Sequence, residues 1–437
     1  MNPVIDTYKH SIYFEPTRCT GEMDCLKVCP VESIRVRNGK ARMLEDKCID
    51  CGECVKICRT GAIIPLTNTF KDFSKFEYTI VIPSLALYTQ FDRHIKPKTI
   101  LSSLKKTGFN EVVDITRACI SVLRTIGKYV KDYKGRKPLI SSFCPTCVKI
   151  IQMRYPELIE NLIPVISPMG LAAKEAKREA SVRLEIEESN IGVIYITPCP
   201  SKTVIISKKT EKYYSAFDGA IPVSEIYNTL YDAIQKTARS KDDDFEYFDI
   251  SGFGLNFARL GGLGFMMNCD NCITVSGINN VLFILDEIEK GKLHNVDFVE
   301  MHGCTEACLG GPMNIENVYL SRTNLHNLIN YYSESKIPFG KKDKYESYNL
   351  ICENMFEPEF KDDISIDIKK ALSKRSERKK IYSVLPKINC GACGSPTCET
   401  FAEDAVEGEV SLTDCIMLAN KNLEEKLKNS EFGMAGE

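Results

Sequence analysis

Two cysteines four residues apart, Cys304-Thr-Glu-Ala-Cys308-Leu-Gly-Gly-Pro, follow the strand-like run Val296-Asp-Phe-Val-Glu-Met. Paired thiolates beside two glycines suit an iron–sulfur cluster, because thiolates bind iron and glycine lets backbone approach an inorganic core. No partner cysteine is near in sequence, so a cluster here has to recruit ligands from distant loops. Cys144 follows Pro138-Leu-Ile-Ser-Ser-Phe, and Cys199 follows Val193-Ile-Tyr-Ile-Thr-Pro. In an α/β fold, strand ends converge on one edge, where ligands bind. Taken singly, each of these cysteines reads as an inert buried thiol. Taken together, they predict one site assembled from three strand ends.

The rest of the argument is spacing, and composition sets its bounds. A chain of 437 residues suggests about three domains. With 57 Lys+Arg against 59 Asp+Glu, no bulk basic surface argues for nucleic acid. The start, Met1-Asn-Pro-Val-Ile-Asp-Thr-Tyr, lacks the pattern of a signal peptide, and no apolar run is long enough to span a bilayer. The expectation is a cytoplasmic protein without membrane or nucleic-acid partners. Twenty cysteines would then make a poor disulfide framework and a good metal-binding one.

Residues 1–70 read as a ferredoxin-like α+β module. Cys48, Cys51, Cys54 and Cys58 follow C-x2-C-x2-C-x3-C. In two-cluster ferredoxins the fourth cysteine of each run ligates the other cluster. Cys29, which precedes Pro30, should therefore join Cys48, Cys51 and Cys54. The first half is altered: Cys19-Thr-Gly-Glu22-Met-Asp-Cys25 has a carboxylate at the second ligand position. The other cluster would take Cys19, Cys25 and Cys58, with Glu22 as an oxygen ligand or with only three irons. Zinc, the alternative, fits four cysteines in a row poorly.

Residues 76–338 alternate strand-like and helix-like runs, which predicts mostly parallel sheets covered by helices. Expected helices cover Pro97–Lys106, Thr116–Val130, a stretch after Cys144 ending before Pro156, Met169–Glu188, a run to about Ala238 capped by Ser224, and Asn279–Lys290. Residues 339–378 read as a charged linker, with Lys374-Arg-Ser-Glu-Arg-Lys-Lys as a solvated helix face. Residues 379–437 read as a small, mostly helical domain. Its Cys390, Cys393, Cys398 and Cys415, spaced C-x2-C-x4-C-x16-C, suit one more [4Fe–4S] cluster, with zinc as the competing metal.

The middle region resembles the H-cluster domain of [FeFe]-hydrogenases. The residues that carry the likeness are Ser142-Phe143-Cys144-Pro145, Pro198-Cys199-Pro200-Ser201-Lys202 and Cys304-x-x-x-Cys308-x-Gly310-Gly311. The tail Gly-Gly-Pro-Met-Asn-Ile-Glu-Asn is similar to the sensory branches of that family. The resemblance implies a [4Fe–4S] cluster on Cys144, Cys199, Cys304 and Cys308, with Cys308 bridging to a diiron site that carries CO, CN⁻ and a dithiolate. It implies that Lys202 donates to one cyanide and that Pro83 and Ser84 lie near the other. Together with two N-terminal clusters and one C-terminal cluster, that makes four clusters and a diiron subcluster.

Departures from the family matter for function. Efficient members carry a proton-passing cysteine before the first ligand, and here that residue is Phe143, which has no proton to transfer. The segment that usually brings relay carboxylates, Asp114-Ile-Thr-Arg-Ala-Cys-Ile-Ser-Val-Leu-Arg, has none after Asp114. A usual methionine is His302, and a usual glutamine is Met169. Cys147, Cys119 and His302 are candidate substitutes in the relay. Cys269 and Cys272 form a C-x2-C pair that suits metal binding or redox chemistry, but with no second pair they read as ordinary loop and strand thiols, and Cys352 is left unplaced. The resulting expectation is a slow or sensory H2-responsive redox protein, working with a redox partner such as ferredoxin and a separate signalling protein. Its rivals are an ordinary ferredoxin-linked hydrogenase and a non-enzymatic iron–sulfur protein without the diiron site.

Overall fold

The computed structural model describes residues 9–208, 214–239, 248–333, 345, 348–352, 354–359 and 368–420. These fall into two compact units. The first is built on Pro65–Glu359, joined by the stretch ending at Ser11 and by Ile49–Gly52; the second is built on Ile12–Cys48, Glu53–Ile64 and the C-terminal stretch from Phe360.

The second unit begins with β1 (Ile12–Phe14), α1 (Asp24–Val28), the antiparallel hairpin β2 (Ile34–Arg37) and β3 (Lys40–Met43), α2 (Glu53–Ile57) and β4 (Ile63–Pro65). β1 pairs with β4. Its core packs Ile12, Leu26, Ile34, Val36 and Ile63 around cysteine side chains.

The α/β unit runs β5 (Tyr78–Pro83), α3 (Pro97–Lys105), β6 (Glu111–Val112), α4 (Thr116–Asp132), β7 (Leu139–Ile140), α5 (Pro145–Arg154), α6 (Pro168–Leu184), β8 (Ile191–Thr197), α7 (Pro200–Lys208), β9 (Gly219–Pro222) and α8 (Val223–Arg239). It continues with α9 (Gly252–Leu255), α10 (Gly262–Met267), β10 (Cys272–Ser276), α11 (Ile278–Glu289), β11 (Phe298–His302) and α12 (Val318–Ser333). Four strands form a sheet in the order β6-β5-β8-β9, and three form another in the order β10-β11-β7. Every pairing in both sheets is parallel. β8 is buried at all seven positions, as expected of a parallel strand covered on both faces. On α4, Ala118, Val122, Ile126 and Val130 recur every four residues and all are buried, so one stripe faces the core.

The C-terminal part of the second unit holds α13 (Ile368–Val384) and α14 (Cys398–Val406).

Several expectations need correction. Ser224 does not cap α8: β9 runs directly into the helix at Val223, and the Ser224 N–H donates to the Met313 carbonyl at 3.0 Å. The stretch 345–359 is no free linker. Tyr345, Leu350 and Cys352 are buried in the α/β core, and the Cys352 N–H donates to the Pro164 carbonyl at 2.7 Å. The basic run from Lys374, by contrast, lies mostly exposed on α13, as the helix-face reading expects, while the charged run at 340–344 lies outside the described residues. Cys269 and Cys272 are not separate thiols but a disulfide, with Cα atoms 5.8 Å apart. Asn268 ends α10 with φ 51°, a left-handed turn that brings Cys269 back toward the start of β10.

Candidate metal centres

Cys144 and Cys199 are placed by the same device. Each directly precedes a helix that begins with proline, Pro145 for α5 and Pro200 for α7. Proline at the first helical position costs no hydrogen bond, and the helix N-terminus favours a thiolate beside it. Cys304 and Cys308 lie in the turn after β11. Glu306 and Ala307 adopt left-handed backbone there, with φ 56° and 53°. Gly311 lets this turn close on the Cys199 loop: a Cβ on it would sit 2.5 Å from the Pro198 carbonyl oxygen. The Met313 N–H donates to the same carbonyl at 2.9 Å. On the other side, the Gly303 N–H donates to Cys144 Sγ at 3.4 Å.

Four thiols from three strand ends are thereby brought together, as the spacing predicts. Lys202, buried on α7, reaches Cys308 Sγ at 3.5 Å. Burial works against its charge, but the sulfurs of Cys308 and Cys199 prevail and hold its pKa well above the ordinary lysine value. The Cys144 thiol is held well below its usual range, first by a hydrogen bond from Cys147 and then, against burial, by Lys202. Burial pushes the Cys199 thiol up, with Lys202 opposing. A site of sulfurs around one fixed ammonium suits an anionic iron–sulfur group. Ser84, just after β5, is buried and its hydroxyl has no hydrogen-bond partner among the described residues. A buried orphan donor of this kind fits a further anionic ligand. The residues therefore fit the cluster and the diiron group that the resemblance implies.

The candidate relay residues separate clearly. Phe143 is half-buried, its ring edge-on to Phe257 with centroids 5.2 Å apart. Cys147 joins the site, in contact with Cys144 and within electrostatic reach of Cys304 and Cys308. His302 bonds instead to Glu300 at 2.8 Å. Glu300 in turn accepts from the N–H groups of Gly261, Leu263 and Gly264 at the start of α10. Cys119 and Met169 are buried in the apolar core. Asp114 is bound by Tyr88 OH at 2.7 Å and by Thr116. Gly303, whose N–H meets Cys144, carried no signal in the sequence. The Gly-Gly pair was a visible signal for tight loop packing, but not for its partner Pro198.

In the ferredoxin-like module, Cys19, Glu22, Cys25 and Cys58 line one small cavity together with Val36. Burial, reinforced by Cys19, pushes the Cys25 thiol up to about 11. That cost falls away if the thiolate is bound to iron. Cys54 is raised by burial and then by Cys48, Cys29 and Cys25 nearby. Cys51 lies in the loop Ile49–Gly52, which packs with the α/β unit. In the C-terminal part, burial raises the Cys393 thiol, helped by Cys415 and Cys390, and Cys398 packs in the same small core.

The comparisons agree with this picture. The family described as "Iron only hydrogenase large subunit, C-terminal domain" matches residues 77–269, which include Cys144, Cys199 and Lys202. A 4Fe-4S dicluster domain matches residues 11–59, and an Fe-S cluster family matches residues 385–417. The fold and these three matches define a multi-domain iron–sulfur protein. More narrowly, residues 77–269 match the iron-only hydrogenase large-subunit family, flanked by matches to a 4Fe-4S dicluster domain and an Fe-S cluster family. The chain is 23% identical over 175 residues to the NADP-reducing hydrogenase subunit HndD of Solidesulfovibrio fructosivorans, covering 36% of this chain and 30% of that one. It is 28% identical over 97 residues to the cytosolic Fe-S cluster assembly factor nar1 of Aspergillus flavus, covering 22% of this chain and 17% of that one. The matches thus span less than a third of either relative. The apo [FeFe]-hydrogenase HydA1 from Chlamydomonas reinhardtii aligns with a TM-score of 0.45 at 14% identity, over 59% of this chain and 88% of that one. No described helix is long and apolar enough to cross a membrane.

Proposed function

We propose that the chain is a slow or sensory H2-responsive protein of the [FeFe]-hydrogenase type. In this reading Cys144, Cys199, Cys304 and Cys308 hold a [4Fe–4S] cluster, and Cys308 bridges to a diiron group that supplies the H2 chemistry when bound. Lys202 and Ser84 donate hydrogen bonds to that group's anionic ligands. Electrons travel through two clusters in the ferredoxin-like module and one in the C-terminal domain, toward a carrier such as ferredoxin. The protein works in the cytoplasm, where thiols stay reduced, and passes its signal to a separate protein. What carries the reading is the combination at one place: four thiols around Lys202, with Phe143 beside Cys144 where proton transfer needs a titratable group.

Infrared spectroscopy after maturation, paired with an H2 assay, tests it. CO and CN⁻ bands with slow turnover are expected. Bands with fast turnover would instead mean an ordinary ferredoxin-linked hydrogenase. Absence of bands would favour a non-enzymatic iron–sulfur protein, the reading toward which the nar1 match leans. Iron and sulfide analysis before maturation should find four clusters per chain; one or fewer, or stoichiometric zinc, would remove the basis of all three.

A further inference from the structure

Strand β2 ties two of the cysteine sites together through its alternation. Ile34 and Val36 turn into the ferredoxin-like core, and Val36 lines the cavity shared by Cys19, Glu22, Cys25 and Cys58. Arg35 and Arg37 meet instead on one carboxylate oxygen of Asp404 in α14. Arg35 Nε donates to it at 2.6 Å, Arg37 Nη2 at 2.6 Å, and the Ser395 hydroxyl at 2.6 Å. Arg35 is 1% exposed, so this pairing is desolvated. Arg37 Nη1 also donates to the Cys393 carbonyl at 3.2 Å.

Backbone contacts bring the ligand loop closer still. The Val36 N–H donates to the Gly394 carbonyl at 2.9 Å. Gly394 has φ +78°, and a Cβ on it would fall 1.8 Å from the Val36 carbonyl oxygen, so only glycine lets the turn rest on β2. A Cβ on Gly391 would lie 3.3 Å from Leu26, the neighbour of Cys25. The loop bearing Cys390 and Cys393 and the cavity bearing Glu22 therefore share the single strand β2. Cys390 is the one exposed residue among the free cysteines.

We propose that the C-terminal four-cysteine domain is the electron port of this protein. Its cluster exchanges single electrons with an external iron–sulfur carrier on the Cys390 side. Across β2 it exchanges them with the cluster of Cys19, Glu22, Cys25 and Cys58. In each step one electron leaves the donor cluster, which is oxidised, and enters the acceptor, which is reduced; no bond forms or breaks. This rests on the reading that both cysteine sets hold clusters.

The test uses the full chain, reconstituted with iron and sulfide, reduced with titanium(III) citrate and examined by electron paramagnetic resonance. Iron is counted first, and too little iron for the three clusters outside the α/β site would overturn the cluster reading, and the port with it. With those clusters present, full reduction should give a pattern of three magnetically interacting centres. Glu22→Cys should shift one signal and so mark the neighbouring cluster. Removing the C-terminal cluster with Cys390→Ser and Cys393→Ser should abolish the splitting on that marked signal. Apart from the signal of the α/β-site cluster, a wild-type spectrum in which only two of those three centres are coupled and the third is independent would overturn the port, and needs no variant to fold.

Discussion

In the proposed reading, Phe143 limits proton transfer at the α/β site, because its ring offers only apolar bulk next to Cys144 in the chain. Phe143→Cys should raise H2 turnover of the matured protein by less than about tenfold. Adding a glutamate on α4 as well should bring the gain to about 10²-fold, non-additively, since groups in a relay act in series. Wild-type turnover matching the efficient enzymes would mean that Cys147, the one substitute that touches the site, carries protons. A second residue-scale prediction concerns Asp114. Burial raises its carboxyl above the ordinary range, against hydrogen bonds from Thr116 and Tyr88. A carboxyl raised in the folded state releases its proton later than in the unfolded chain, so its contribution to stability falls as pH rises above about 3.9. The Tyr88 hydroxyl offsets part of that penalty. Tyr88→Phe should therefore cost about 1.5–3 kcal/mol at pH 8 and progressively less in acid. Urea unfolding across a pH series measures this, and a cost that does not change with pH would contradict it. The candidate cysteines of the two small modules could be grouped by spacing within one loop, whereas those of the α/β unit had to be gathered from three strand ends. The state of Asp114 was not legible, because it depends on Tyr88, a residue 26 positions away.

At the scale of elements, the turn between β11 and α12 has little room to move. Gly311→Ala would place a methyl 2.5 Å from the Pro198 carbonyl oxygen and 2.9 Å from Pro198 Cβ. The turn would have to move away from Cys199, at a cost of about 1–3 kcal/mol. Reconstituted Gly311→Ala should lose one cluster's worth of iron from the α/β site while the signals of the other clusters persist; a full complement would show that the turn tolerates the shift. Parallel strands and most helices could be read from the chain, since runs such as Ile191–Thr197 are apolar throughout. The start of α8 could not. Ser224 has the chemistry of a cap, but β9 enters the helix without a loop and leaves no cap position to fill. The Cys269–Cys272 pairing was equally hidden, because it depends on the backbone of Asn268 rather than on the C-x2-C spacing.

At the scale of the molecule, the C-terminal domain is the less expected partner of the ferredoxin-like module. A chain read in order suggests modules in order, and nothing local marks Asp404 as the counter-charge for Arg35. Asp404→Ala would leave Arg35 buried without that partner, which typically costs about 3–5 kcal/mol. Denaturant unfolding of the apo chain should show the loss in the transition of that unit alone; no change would mean that solvent reaches Arg35. The same hydrogen bond from Arg35 to Asp404 spans 369 positions, with the α/β unit lying between them in sequence. Synthesis proceeds from the N-terminus. The ribosome therefore releases Arg35 and Arg37 long before their carboxylate exists, and Cys144 and Cys199 before Cys304 and Cys308. Cys48 to Cys58, by contrast, emerge together. A growing chain halted near residue 300 could load iron into its first module, yet would still be short two thiols for the α/β site. Assembly factors that deliver metal to that site would thus have to act later than those serving the first module, once Cys308 has emerged, though Asp404 need not yet have met Arg35.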